Sequence, residues 1–157
     1  MSKKKAEIMP YNVDMKILDK ILGELKQTNE NGMEISKMWT NIGEAKNVNK
    51  SYSLNMAIYL RFVEVQGDNI KLTKDRRIIN LSSENKRPQI LAKNLPEKYM
   101  AMYKWVKLSP NHEIQSGDLR VKYFDNYGDV QSQNLLERMI STFMKYMEHI
   151  GFATRSG

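Results

Sequence analysis

The sequence contains no cysteine, which removes disulfides, thiolate metal sites and thiol nucleophiles together and fits a reducing compartment. The only histidines are His112 and His149. No window approaches the roughly 18 unbroken apolar residues of a membrane span. The opening MSKKKAEIMPYNVD brings cations without the apolar run of a secretory leader. A cytoplasmic protein with no membrane partner is therefore expected. The glycines are scattered, and none forms a loop ending in Lys-Ser or Lys-Thr that would turn successive N–H groups toward a phosphate, which argues against nucleotide hydrolysis. His112-Glu113 opens like a zinc-protease helix, but Ser116 stands where the second histidine is required. Asp125 and Asp129 lack the oxygen spacing of a calcium loop and read as turn and cap residues. His149, near the end of the last helical stretch, suits the negative helix terminus better than a metal. These absences leave no catalytic residue, no metal ligand and no cofactor to expect, and the chain reads as a non-enzyme.

What is present is a chain of 157 residues, 41% hydrophobic, enough for one compact domain or two small ones that share an interface. Twenty-five basic residues face 18 acidic ones, a formal charge of +7 that favours polyanionic partners. The excess is local: residues 70 to 107 hold ten Lys or Arg against three Asp or Glu, while the flanking segments nearly balance.

Val13, Ile17, Leu18, Ile21, Leu22 and Leu25 recur at helical spacing and predict a first helix, ended by the Asn29-Glu30-Asn31-Gly32 segment. Ile35, Met38, Trp39 and Ile42 predict a short second helix with its exit at Gly43. A third is expected with Ser51 as its cap and Leu54, Ala57, Ile58 and Phe62 as its buried stripe. Phe62, Val63 and Val65 then alternate as a strand, Gly67-Asp68-Asn69 reverses the chain, and Ile70 and Leu72 return. Three helices and a hairpin that cannot hide their apolar faces singly close one core together, the arrangement of a winged helix. The expected class is mainly α with a small β-hairpin, built from tandem winged helix or helix-turn-helix units.

Downstream, Thr73 is a plausible cap for a basic connector, Pro88 starts a further helix, and Pro96 opens another in which Tyr99, Met102, Tyr103 and Val106 face inward. A short helix begins near Ser116. A long one carries Leu135, Leu136, Met139, Ile140, Phe143, Met147 and Ile150. NMAIYLRFVEVQGD and TFMKYMEHIGFATRSG echo each other weakly, which suggests a degenerate repeat whose second unit either lacks a wing or donates its last strand elsewhere. The expected organisation is a flexible basic tail over 1–12, a winged unit over 13–80, a basic connector over 81–97 and a second helical unit over 98–157.

The phrases YLRFVEVQGDNIKLTKDRR, RPQILAKNL and MEHIGFA, over roughly residues 13 to 152, resemble the AAA-associated C-terminal domain that follows some prokaryotic transport ATPases, and related standalone winged-helix proteins. The resemblance implies two stacked helix-turn-helix units. The chain departs from it at Asp75-Arg76-Arg77, where glycine is usual.

Double-stranded DNA is the expected partner and transcription regulation the expected role. Asn49, Lys50, Tyr52, Ser53, Asn55 and Tyr59 on the third helix are candidates for the major groove, since Asn can read adenine and Lys or Ser can hold phosphates. For Tyr52 and Tyr59, packing against the second helix or the wing is an equal alternative. Lys71, Lys74, Arg76 and Arg77 are candidates for the phosphate row beside the groove, against the competing reading of a charged edge that blocks strand pairing. The alternative function is a protein-interaction adaptor inside a larger machine. The second unit is the better surface for a homodimer or protein partner.

Overall fold

The computed structural model describes residues 8–28, 30–43, 49–74, 76, 87–130 and 132–152. Among them the chain is mainly helical, with a small three-stranded antiparallel sheet.

Helix α1, Met15–Lys26, starts at Asp14, whose carboxylate accepts the Lys16 N–H at 2.9 Å and so satisfies an otherwise orphaned donor. It buries Ile17, Leu18, Ile21, Leu22 and Leu25, the stripe its spacing predicts. A two-residue strand β1, Met33–Glu34, precedes α2, Ile35–Ile42. Periodicity does not reveal β1, because two residues are too few to show alternation. Gly32 makes it possible: its φ is +74°, and a Cβ there would stand 2.1 Å from the Ile70 carbonyl oxygen. Helix α3, Lys50–Tyr59, leads into β2, Val63–Gln66, and β3, Asn69–Leu72. The sheet order is β1-β3-β2, with Met33 and Val65 flanking Ile70. Three helices followed by a hairpin are thus present in the expected order, with one strand added.

The remaining elements are α4, Arg87–Lys93; α5, Glu97–Leu108; a 3-10 turn, Pro110–His112; α6, Ser116–Asn126; and α7, Gln133–His149. The Ser132 hydroxyl accepts the Leu135 N–H at 3.3 Å and caps α7. The starts expected at Pro88, Pro96 and Ser116 all fall within one residue of a helix boundary.

Among the described residues one apolar cluster runs from Met9 to Met147, so the two halves of the chain share an interior. At its centre Tyr99 of α5 is fully buried, 5.1 Å from the Tyr59 ring of α3 and 5.0 Å from the Phe143 ring of α7, both edge-on as aromatic quadrupoles prefer. Its hydroxyl donates to Met56 Sδ at 3.7 Å. The connector and the tail also contribute: Leu91, Ala92 and Leu95 are buried, as is Met9. Segments 1–7 and 81–86 of those two regions lie outside the described residues.

Candidate nucleic-acid interface

The direction in which α3 faces decides which of its side chains can meet a ligand. Ser53, Met56, Ala57 and Tyr59 are its buried residues. The Ser53 hydroxyl accepts the Asp14 N–H at 3.1 Å and lies 2.9 Å from the Asn49 carbonyl and 3.2 Å from that of Asp14. It pins the start of α3 to the entry of α1. Ser53 is therefore a structural residue and not a presented one, correcting its place in the expected contact set. The same correction applies to Tyr59, only 7% exposed beneath Tyr99.

The expected inward stripe is corrected with them. Ala57 and Phe62 are buried, but Leu54 is half-buried and Ile58 is 42% exposed. Helix α3 carries two apolar rows, and the wall of Tyr99, Phe143 and Tyr146 draws in Met56 and Tyr59. The outward row is consequently Ser51, Asn55 and Ile58. Ser51 and Ile58 are the residues that periodicity alone misassigned, since Ile58 looks like core and Ser51 like a cap. The helix begins at Lys50, so Ser51 lies inside its first turn.

Asn49 and Lys50 are half-buried at the N-terminus of α3, with the Lys50 ammonium 5.4 Å from the Trp39 ring centroid. Tyr52 is half-buried and its ring lies 5.2 Å from that of Tyr11. Asn55 is exposed, as expected.

The hairpin cations diverge. Lys71 points to the face of β3 opposite Ile70 and Leu72, and its ammonium is 4.0 Å from the Glu64 carboxylate across the hairpin. Lys74 is exposed. The Arg76 guanidinium lies 4.4 Å from the Phe62 ring centroid, so it folds back on the core rather than trailing the strand. The guanidinium is thereby set against the buried Phe62 ring, a contact that the expected phosphate row did not anticipate. Thr73 accepts the Arg76 N–H at 3.2 Å, the contact of a cap, while donating to the Arg61 carbonyl at 2.6 Å. Arg77 lies outside the described residues.

Asp129 accepts from Lys98 and, at 2.9 Å, from the Tyr123 hydroxyl. Burial alone would raise its pKa, but the hydrogen bonds from Lys98 and Tyr123 and the Lys98 charge bring it below the usual aspartate value. Burial pushes the Tyr99, Tyr123 and Tyr146 phenols up, so all three are neutral at physiological pH. His149 Nε2 is 2.9 Å from Asp19 Oδ1, joining the end of α7 to α1. A concavity of 580 Å³ between α6 and α7 is crossed by the Arg120–Glu137 ion pair. Among the described residues no three His, Cys, Asp or Glu side chains gather as a metal site, and no helix is long and apolar enough to cross a membrane.

Comparison of the chain with protein-family models, with curated proteins and with solved structures finds no match.

Proposed function

We propose that the chain is a non-enzymatic DNA-binding protein, a regulator of transcription in the cytoplasm, that lays α3 in the major groove and rests the β2–β3 hairpin on the adjacent backbone. The observation that carries this reading is the row Ser51, Asn55 and Ile58, exposed along a helix whose opposite side is held by Ser53, Met56 and Tyr59. A helix anchored on one side and open on the other has the form that groove insertion needs. The sequence of three helices and a hairpin supports a winged helix-turn-helix reading, and the +7 charge supports a polyanionic partner. Exposed Lys74 would meet phosphate, with Lys50 and Asn49 flanking the groove.

Anisotropy titration of a random-sequence duplex at two salt concentrations tests the proposal. Two to four neutralised phosphates correspond to a slope of about −1.8 to −3.6 in log affinity against log salt. Absence of salt-sensitive binding overturns it.

A second reading, an adaptor or homodimer that uses the second half of the chain, is favoured by exposed Leu108 and Val121, at 84% and 56%. Sedimentation of the wild type and of Val121→Glu over a concentration series tests it, and a strictly monomeric wild type removes the homodimer.

A further inference from the structure

The outward row of α3 has an unusual composition for a helix that reads DNA: one hydroxyl, one amide and one branched hydrocarbon, with no cation among Ser51, Asn55 and Ile58. Of the two described cations that adjoin the row in sequence, the Lys50 ammonium sits 5.4 Å from the Trp39 ring, and Arg61 follows the end of the helix, where the backbone turns to a φ of 61°. Guanine is read in the major groove by Arg or Lys on its O6 and N7, and this row offers neither. Adenine is read by an Asn or Gln amide on N6 and N7, and thymine offers a methyl group to an apolar side chain.

Resting on the DNA-binding reading, we infer that the α3 row selects A·T base pairs in the major groove, Asn55 pairing with adenine and Ile58 packing on a thymine methyl. The spacing is suitable. Asn55 and Ile58 are three residues apart, about 4.5 Å along the helix at 1.5 Å per residue. That is close to one base step of about 3.4 Å. The 42% exposure of Ile58 leaves its side chain accessible for such a contact.

The test is anisotropy titration of the full chain at one low salt concentration against duplexes of equal length. One is mixed-order A·T, one is G·C, one is the A·T duplex with deoxyuridine for thymidine, and one is inosine·cytosine. The last presents an A·T-like minor groove with the guanine pattern in the major groove. Expected are about tenfold tighter binding of A·T than of G·C or inosine·cytosine, in the range of one bidentate contact. Loss of the methyl should weaken binding about fourfold, the factor for one buried methyl group. Asn55→Ala should remove most of the A·T preference, and Ile58→Ala should make thymidine and deoxyuridine duplexes equivalent. Both positions are exposed, so a thermal melt by circular dichroism should leave the variants folded. Equal binding of A·T and G·C, indifference to the methyl, or inosine·cytosine behaving like A·T overturns the base reading while duplex binding stands. No salt-sensitive binding to any duplex overturns the DNA reading itself. Self-association abolished by Ile58→Glu in that case assigns the row to a protein contact.

Discussion

Replacing Tyr99 by alanine asks whether the two halves of the chain are one folding unit. Tyr99 is fully buried, between Met56 and Tyr59 of α3 on one side and Phe143 of α7 on the other. Truncating a buried aromatic residue to alanine costs about 3–5 kcal/mol, from lost transfer energy and the cavity left behind. A domain of this kind has about 5–15 kcal/mol in total, so the variant should remain folded but be much weakened. With a urea dependence of about 2 kcal/mol per molar, a loss of about 4 kcal/mol moves the midpoint down by about 2 M. The chain's two tryptophans make the assay discriminating: Trp39 lies in α2 and Trp105 in α5, both packed against the core. In Trp39→Phe and Trp105→Phe backgrounds, the remaining fluorophore reports one half each. A shared core requires the two midpoints to coincide and to move together when Tyr99 is truncated. Separate midpoints, or a shift confined to the Trp105 signal, would refute the single core.

Three further outcomes follow from local geometry. Gly32→Ala should cost at least about 2 kcal/mol, because it adds a Cβ at positive φ against the Ile70 carbonyl. A lowered urea midpoint, with faster amide exchange at Ile35, whose N–H donates to Asp68 at 2.8 Å, would register it. Asp129→Asn should flatten the acid limb of stability: the folded carboxyl has a lowered pKa, so its contribution is present above the unfolded value of about 4 and is lost as pH falls through the folded one. Urea midpoints at pH 5 and pH 2.5 should therefore differ more for wild type than for the variant. Arg76→Ala should lower stability by about 0.5–2 kcal/mol through the lost contact with Phe62 and leave the salt slope of DNA binding unchanged, whereas Lys74→Ala should keep stability and reduce the slope by about 1.

Local signals were readable where one physical requirement dominated. The α1 stripe has a single apolar face, so its phase follows directly from spacing, and all five of its interior residues are buried as expected. Gly67 takes a φ of 59° at the hairpin reversal, the conformation for which glycine is suited. Pro96 sits at the helix boundary its chemistry favours. The candidate site was less readable because its residues have two plausible environments each. Ser53 suits a phosphate contact and a buried capping network equally by type, and only the proximity of Asp14, 39 residues away, selects the latter. Arg76 suits a phosphate as well as a ring, and Phe62 is the nearer partner.

The composition by itself excluded thiol chemistry, and the periods of the apolar residues determined that the chain would be mainly helical with a small antiparallel hairpin. Tertiary structure decided which side of α3 faces outward. That helix offers two apolar rows of similar strength, Leu54 with Ile58 and Met56 with Tyr59, so its own sequence leaves the rotation undetermined. The choice falls to the aromatic wall of Tyr99, Phe143 and Tyr146, supplied by residues 40 or more positions downstream, because a ring gains most where other rings surround it.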